Sequence, residues 1–202
     1  MIWLLLACRA DPGAPVYPER EPWSRTEDDG FLSTPLADGE LRLGIGLFYE
    51  GETTEFIPID DTTSHFYVYE GSFGVEVSDD RVEGYTSDLI VLQGKPWWGG
   101  GVHWDAPHDL RAYDTLRFSL RAEAFGDWTV GMTGGAEHRV SVSSLGFVAD
   151  GNWHTVELPL STLSAAGVDL SAVTLPLLLI GEGGEADDEL WIDDLYLKGT
   201  EP

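Results

Sequence analysis

The chain is built from short alternating runs. In Thr115-Leu116-Arg117-Phe118-Ser119-Leu120-Arg121, the residues Leu116, Phe118 and Leu120 fall on one side of an extended backbone, and Arg117, Ser119 and Arg121 on the other. That two-residue period is the mark of a strand with one face buried and one face wet. His138–Val142 and His154–Leu160 alternate in the same way. Further extended segments are expected at Leu41–Tyr49, His65–Tyr69, Gly74–Val77, Leu89–Gln93, Val102–Trp104, Asp127–Thr133, Thr174–Ile180 and Glu189–Leu197, with Gly, Asp and Pro between them. Only Ser161–Ala166 reads as helix, and only for a turn or so. About nine to eleven short strands separated by turn signals predict an all-β antiparallel sandwich or barrel.

Charge narrows the partners. Asp and Glu total 36 against 11 Lys and Arg, a net charge of -25. Such a field repels phosphate backbones and anionic lipid surfaces, so nucleic acid is excluded and the folded part does not sit on a membrane. A single cysteine allows no intramolecular disulfide and no cysteine-type zinc site. That cysteine ends the run Leu5-Leu6-Ala7-Cys8, which resembles a bacterial lipobox. The resemblance implies export and a lipid on Cys8, with the membrane touched only through that lipid and the rest of the chain working at the cell envelope; the chain is expected to be a monomer. Residues 1–8 then read as a signal remnant. Residues 9–40 carry five prolines, from Pro12 to Pro35, and the run Glu27-Asp28-Asp29, the composition of an extended solvated tether. Residues 41–199 read as the folded domain.

Several phrases of that domain resemble β-jelly-roll carbohydrate-binding modules of the broad galactose-binding-like group that includes family eleven. They are Phe48-Tyr49-Glu50-Gly51, Trp97-Trp98-Gly99-Gly100-Gly101-Val102-His103-Trp104, the stretch from Asp109 to Phe118, Asp150-Gly151-Asn152-Trp153-His154-Thr155-Val156-Glu157-Leu158-Pro159-Leu160, and the closing Trp191-Ile192-Asp193-Asp194-Leu195-Tyr196-Leu197. The resemblance implies a polysaccharide or other glycan as partner. In the closing phrase, strict alternation puts Asp193 with Trp191, Leu195 and Leu197, and Asp194 with Ile192 and Tyr196. In either register a carboxylate shares a face with bulky apolar groups, and it must be neutralised or hold a cation. Calcium, which takes hard oxygen ligands in flexible geometry, answers that need where basic residues are few. The resembling modules often hold a structural Ca2+ where the first strand meets the last, which implies Glu50 and Glu52 beside Asp193 or Asp194.

The indoles are the candidate recognition surface. Trp97, Trp98 and Trp104 surround Gly99-Gly100-Gly101, a segment that reads as loop-rich, and glycine lets a ligand approach the backbone. An indole face packs against the C–H face of a pyranose while neighbouring polar groups bond its hydroxyls. The candidate ligand-binding residues are Trp97, Trp98, His103, Trp104, Trp128 and Arg117, with Arg121, Tyr67, Tyr69 and Tyr85 behind them. Adjacent strand residues point to opposite faces, so at most one of Trp97 and Trp98 faces the ligand. Trp153 reads as core. No G-x-S-x-G elbow and no H-E-x-x-H motif occurs, and the five histidines lack helical spacing for zinc. The expected function is non-catalytic polysaccharide binding. The rivals are a structural or protein-interaction domain at the envelope and a small polysaccharide-active enzyme.

Overall fold

The structure is a computed structural model, described for residues 40–45, 53–57, 62–82 and 87–200. Among them are twelve strands: β1 Glu40–Gly44, β2 Thr53–Ile57, β3 Thr62–Val68, β4 Phe73–Ser78, β5 Ser87–Gln93, β6 Trp97–Trp104, β7 Tyr113–Arg121, β8 Trp128–Gly134, β9 Ala136–Ser141, β10 His154–Pro159, β11 Leu175–Glu182 and β12 Ala186–Thr200. One helix, α1 Leu160–Ala165, follows β10. The first sheet runs β10-β7-β12-β5-β4, with β1 also on β12, and the second runs β2-β3-β6-β11-β8-β9. Every pairing is antiparallel. Of the sandwich and the barrel that the alternation allows, the two-sheet antiparallel sandwich is the observed architecture.

The core lies where the two inner faces meet. Leu116, Phe118 and Leu120 of β7, Ile90 and Leu92 of β5, and Leu190 and Ile192 of β12 enter it from the first sheet. Phe66, Trp98, Val102, Trp104, Leu177, Leu179, Trp128, Val130 and Met132 enter from the second. Apart from Leu177, which sits between buried Pro176 and Leu178 on the central strand β11, each has a polar, glycine or half-exposed neighbour on the opposite face, as the pleat requires.

Two segments depart from the sequence reading. Trp97–Trp104 is an unbroken strand at the centre of the second sheet, not a loop. Its glycines are there because the neighbours leave no room. A Cβ on Gly100 would stand 2.7 Å from the Tyr67 carbonyl oxygen and 2.8 Å from the Phe73 ring. The second departure is in β12. A bulge between Asp193 and Tyr196, with Asp194 at φ 56°, shifts the alternation by one residue. Tyr196 now lies opposite Arg117 and Leu197 opposite Leu116. Trp191, Asp193 and Tyr196 therefore share the outer side, a grouping that strict alternation forbids.

Candidate functional site

The outer face of the second sheet carries a trough. One cross-strand row reads Tyr67 (β3), Gly101 (β6), Leu178 (β11), Gly131 (β8), Arg139 (β9). Large side chains stand at both ends, and two of the three central positions have none. The next row holds Gly99, Ile180, Thr129 and Ser141, with only Gly99 bare. Trp97 and Glu182 pair beyond it. Toward β9 the floor deepens into a concavity of ≈ 520 Å³ lined by Asp127, Thr129, Glu137, Arg139, Ile180 and Glu182, among others.

The β3 wall of the trough is aromatic. Tyr67 is 41% exposed. It stacks on His65 at 5.9 Å and meets His103 edge-on at 5.0 Å. Tyr69 also meets His103 edge-on, and its hydroxyl lies 2.8 Å from His103 Nε2. The short 3-10 turn Tyr69–Gly71 aims that ring, with Glu70 and Gly71 both at positive φ. Ser72, fully buried, fastens the turn: its hydroxyl donates to the Gly99 carbonyl at 3.2 Å and accepts from the Gly99 N–H at 3.0 Å. The Tyr69 hydroxyl thereby hangs over the glycine floor, where a Cβ on Gly101 would come within 3.2 Å of it. Burial, then the nearby Glu137 carboxylate, raises the Tyr69 phenol above its ordinary value. Burial, then the facing His65, lowers His103. Both groups are therefore neutral at pH 7. His65 is paired with Asp105 at 2.9 Å, and Arg139 with Glu137 at 3.0 Å.

Of the candidate residues, the structure brings Trp97 and His103 to this face. It does not bring Trp98, Trp104 or Trp128, whose indoles are 2–5% exposed and point into the core. Trp98 packs edge-on to Phe73 and Phe125 and tilts against Trp128 at 5.6 Å, with Gly181 beneath it. Trp104 meets His108 edge-on at 4.7 Å. A strand's alternation sends 98 and 104 inward together, so these three are corrected from stacking platforms to core. Arg117 is corrected too. It lies on the other sheet, 3.2 Å from the fully buried side chain of Asp194 and 5.6 Å from the Tyr196 ring centre. Trp153 is half-buried, not core, and its indole N–H donates to Asp80 at 3.0 Å. Tyr85 lies outside the described residues.

The metal candidates separate as well. Glu50 and Glu52 lie outside the described residues, as does Cys8. Asp193 accepts the Val82 N–H at 2.6 Å and the Asp194 N–H at 2.8 Å, and Asp194 has Arg117 beside it. The positive charge that a buried carboxylate demands thus comes from a guanidinium. No group of three or more metal-ligating side chains occurs among the described residues. Arg139, Glu137 and the glycine at 131 belong to the trough but escaped the sequence reading. Their signal was the alternation of β8 and β9, which ranks residues by face but does not say which sheet is open.

The sequence profile described as carbohydrate binding domain 30 matches residues 44–199. The chain belongs to that family. This family 30 domain is similar in structure to a crystallised family 30 carbohydrate-binding module at 17% identity, with a TM-score of 0.56 over 80% of this chain and 89% of that one. The family 30 module of a cellulosomal cellulase of Clostridium thermocellum is similar at 19% identity, with a TM-score of 0.51 over 78% of this chain and 92% of that one. A family 11 module solved in solution is 12% identical, with a TM-score of 0.50 over 81% of this chain and 97% of that one. These likenesses show the fold of the family 30 domain. No curated protein matches it.

Proposed function

We propose that the domain binds a polysaccharide without catalysis, along the outer face of the second sheet. The observation that carries the proposal is the row Tyr67, Gly101, Leu178, Gly131, Arg139. Side chains are withdrawn from the middle of the sheet and left standing at its margins. A saccharide chain needs that shape: a low apolar floor for its C–H face, aromatic rings to stack on, and polar groups within reach of its hydroxyls. Tyr67 and Trp97 supply rings. Tyr69, His103, Arg139 and Glu137 supply donors and acceptors. The trough is shallow, so affinity is weak per site.

The test is affinity electrophoresis in gels holding hydroxyethylcellulose, mixed-linkage β-glucan, xylan or agarose. At least one polysaccharide is expected to retard the protein, to release no product, and to lose its effect on Tyr67→Ala at unchanged melting temperature. Absence of retardation by any of them would sink the reading. We also propose that Cys8 carries a lipid that tethers the domain through residues 9–40. The run Leu5-Leu6-Ala7-Cys8 supports this, and palmitate labelling lost in Cys8→Ser tests it.

A further inference from the structure

We infer that His103 is a positioning residue: it holds the Tyr69 hydroxyl so that its lone pairs, and not its proton, face the glycan. The inference rests on the glycan-binding reading of the trough and adds to it the polarity of one contact.

The geometry is specific. Tyr69 Oη and His103 Nε2 are 2.8 Å apart across a 34-residue separation in sequence. A neutral imidazole has one bare nitrogen and one N–H, and a phenol is both donor and acceptor. Two arrangements are possible, and the surroundings choose between them. The phenol is the stronger acid of the two neutral groups, so the stronger bond runs from O–H to a bare Nε2. His103 is kept neutral by burial and by His65 across the β3–β6 pair. Tyr69 is kept protonated by burial and by Glu137 from β9. With its proton spent on His103, the Tyr69 oxygen offers only acceptor capacity over the Gly101 floor. It selects a sugar hydroxyl that donates. Protonating His103 reverses the bond. Nε2–H then donates into the phenol oxygen, competes with the sugar, and turns the Tyr69 proton outward.

The groups facing this pair are His65 and Tyr67 on β3, Asp105 beyond β6, and Glu137 with Arg139 on β9. Of these, His65 is the one other histidine, and it is the control.

Long-range 1H–15N spectra of the full chain read the tautomer directly. The expected result is a proton on His103 Nδ1 and a bare Nε2; a proton on Nε2 overturns the inference whatever the protein binds. Binding gives the second readout, in the polysaccharide of the panel above that retards the parent protein most. His103→Phe and Tyr69→Phe should each weaken retention by roughly fivefold, the worth of one hydrogen bond, and the double variant should lose no more than either. His103→Gln restores an acceptor without a titrating group. It should recover retention and abolish the fall in affinity expected of the parent once pH drops below the ordinary imidazole range, since burial and His65 lower His103. His65→Gln should keep that fall. Additive losses in the two Phe variants, or an unchanged pH profile in His103→Gln, overturn this inference alone. Failure of every polysaccharide to retain the parent overturns the trough reading and this inference with it.

Discussion

The two outer faces of the sandwich are made from similar residues and have opposite fates. On the first sheet, Arg117 and Arg121 alternate along β7, and each lies over an aromatic ring of β12: Tyr196 at 5.6 Å and Trp191 at 4.8 Å. Each guanidinium is also paired with a carboxylate, Asp194 for one and Asp80 for the other. The segment Ser78–Val82 crosses this face as a strap. Ser78 accepts the Trp191 indole N–H at 3.1 Å, Asp80 accepts that of Trp153, and the Val82 N–H goes to Asp193. Arginine and tryptophan are present there, yet their charges and indole N–H groups are taken up by Asp194, Asp80 and Ser78 of the same face. On the second sheet Gly99, Gly101 and Gly131 leave the centres of β6 and β8 low, and the polar groups stand at the margins around open space. Aromatic and charged residues alone therefore do not make a binding face. The missing side chains do.

The adjacent pair Trp97 and Trp98 puts this contrast on a single strand, and the largest expected effect is there. Trp98→Ala empties a site walled by Phe73, Phe125 and Trp128. The expected cost is about 4 kcal/mol in denaturant titration, with Tm lower by roughly 10 °C and glycan retention unchanged in the fraction that stays folded. A loss below about 1 kcal/mol would mean that the indole is not core. Next in size is the closed face. Arg117→Met leaves the Asp194 carboxylate buried without its guanidinium, and about 3 kcal/mol of stability should go with it. Asp194→Asn in the same background should recover part of that loss. If it recovers none, the pair is not what neutralises the site.

Much of this architecture was legible because each strand's alternation is enforced by a buried face. The runs at Thr115–Arg121 and His154–Leu160 could hardly sit otherwise, since slipping them by one residue would expose Leu116, Phe118 and Leu120 to water. The site was less legible, for three physical reasons. Tryptophan fills cores as readily as it lines clefts, so Trp98, Trp104 and Trp128 carried no mark of their burial until the sheet had a partner. The bulge at Asp194 depends on a residue at positive φ, which asparagine and aspartate tolerate but do not announce. The open face is defined across five strands, Tyr67 to Arg139, by registers that no local pattern encodes.

On the open face the effects should be smaller and confined to binding. Trp97 stands on the outer side of β6, beside the floor at Gly99, where a Cβ would lie 3.2 Å from its ring. If a sugar covers about 55 Å² of that ring, burial at about 25 cal/mol per Å² is worth about 1.4 kcal/mol, or tenfold in affinity. Trp97→Ala should therefore weaken polysaccharide retention roughly tenfold and shift Tm by no more than about 2 °C. A Tm loss like that of Trp98→Ala, with retention intact, would reverse the assignment of the two indoles.

The smallest expected effect concerns calcium. The cation was expected at the meeting of the first and last strands because Asp193 and Asp194 needed a positive partner. In the folded domain Asp194 has Arg117 at 3.2 Å, and both Asp193 oxygens accept backbone N–H groups. An ion bound only by the folded state raises Tm in proportion to the logarithm of its concentration over its dissociation constant. A guanidinium built into the chain gives no such dependence. Melting in millimolar calcium and in chelator should therefore agree within about 1 °C, in the parent protein and in Trp97→Ala alike. A rise of several degrees with calcium would return Asp193 and Asp194 to the role of ligands, with Glu50 and Glu52 as the acidic residues to substitute next. It would also mean that the closed face is held shut by an ion in addition to its own arginine.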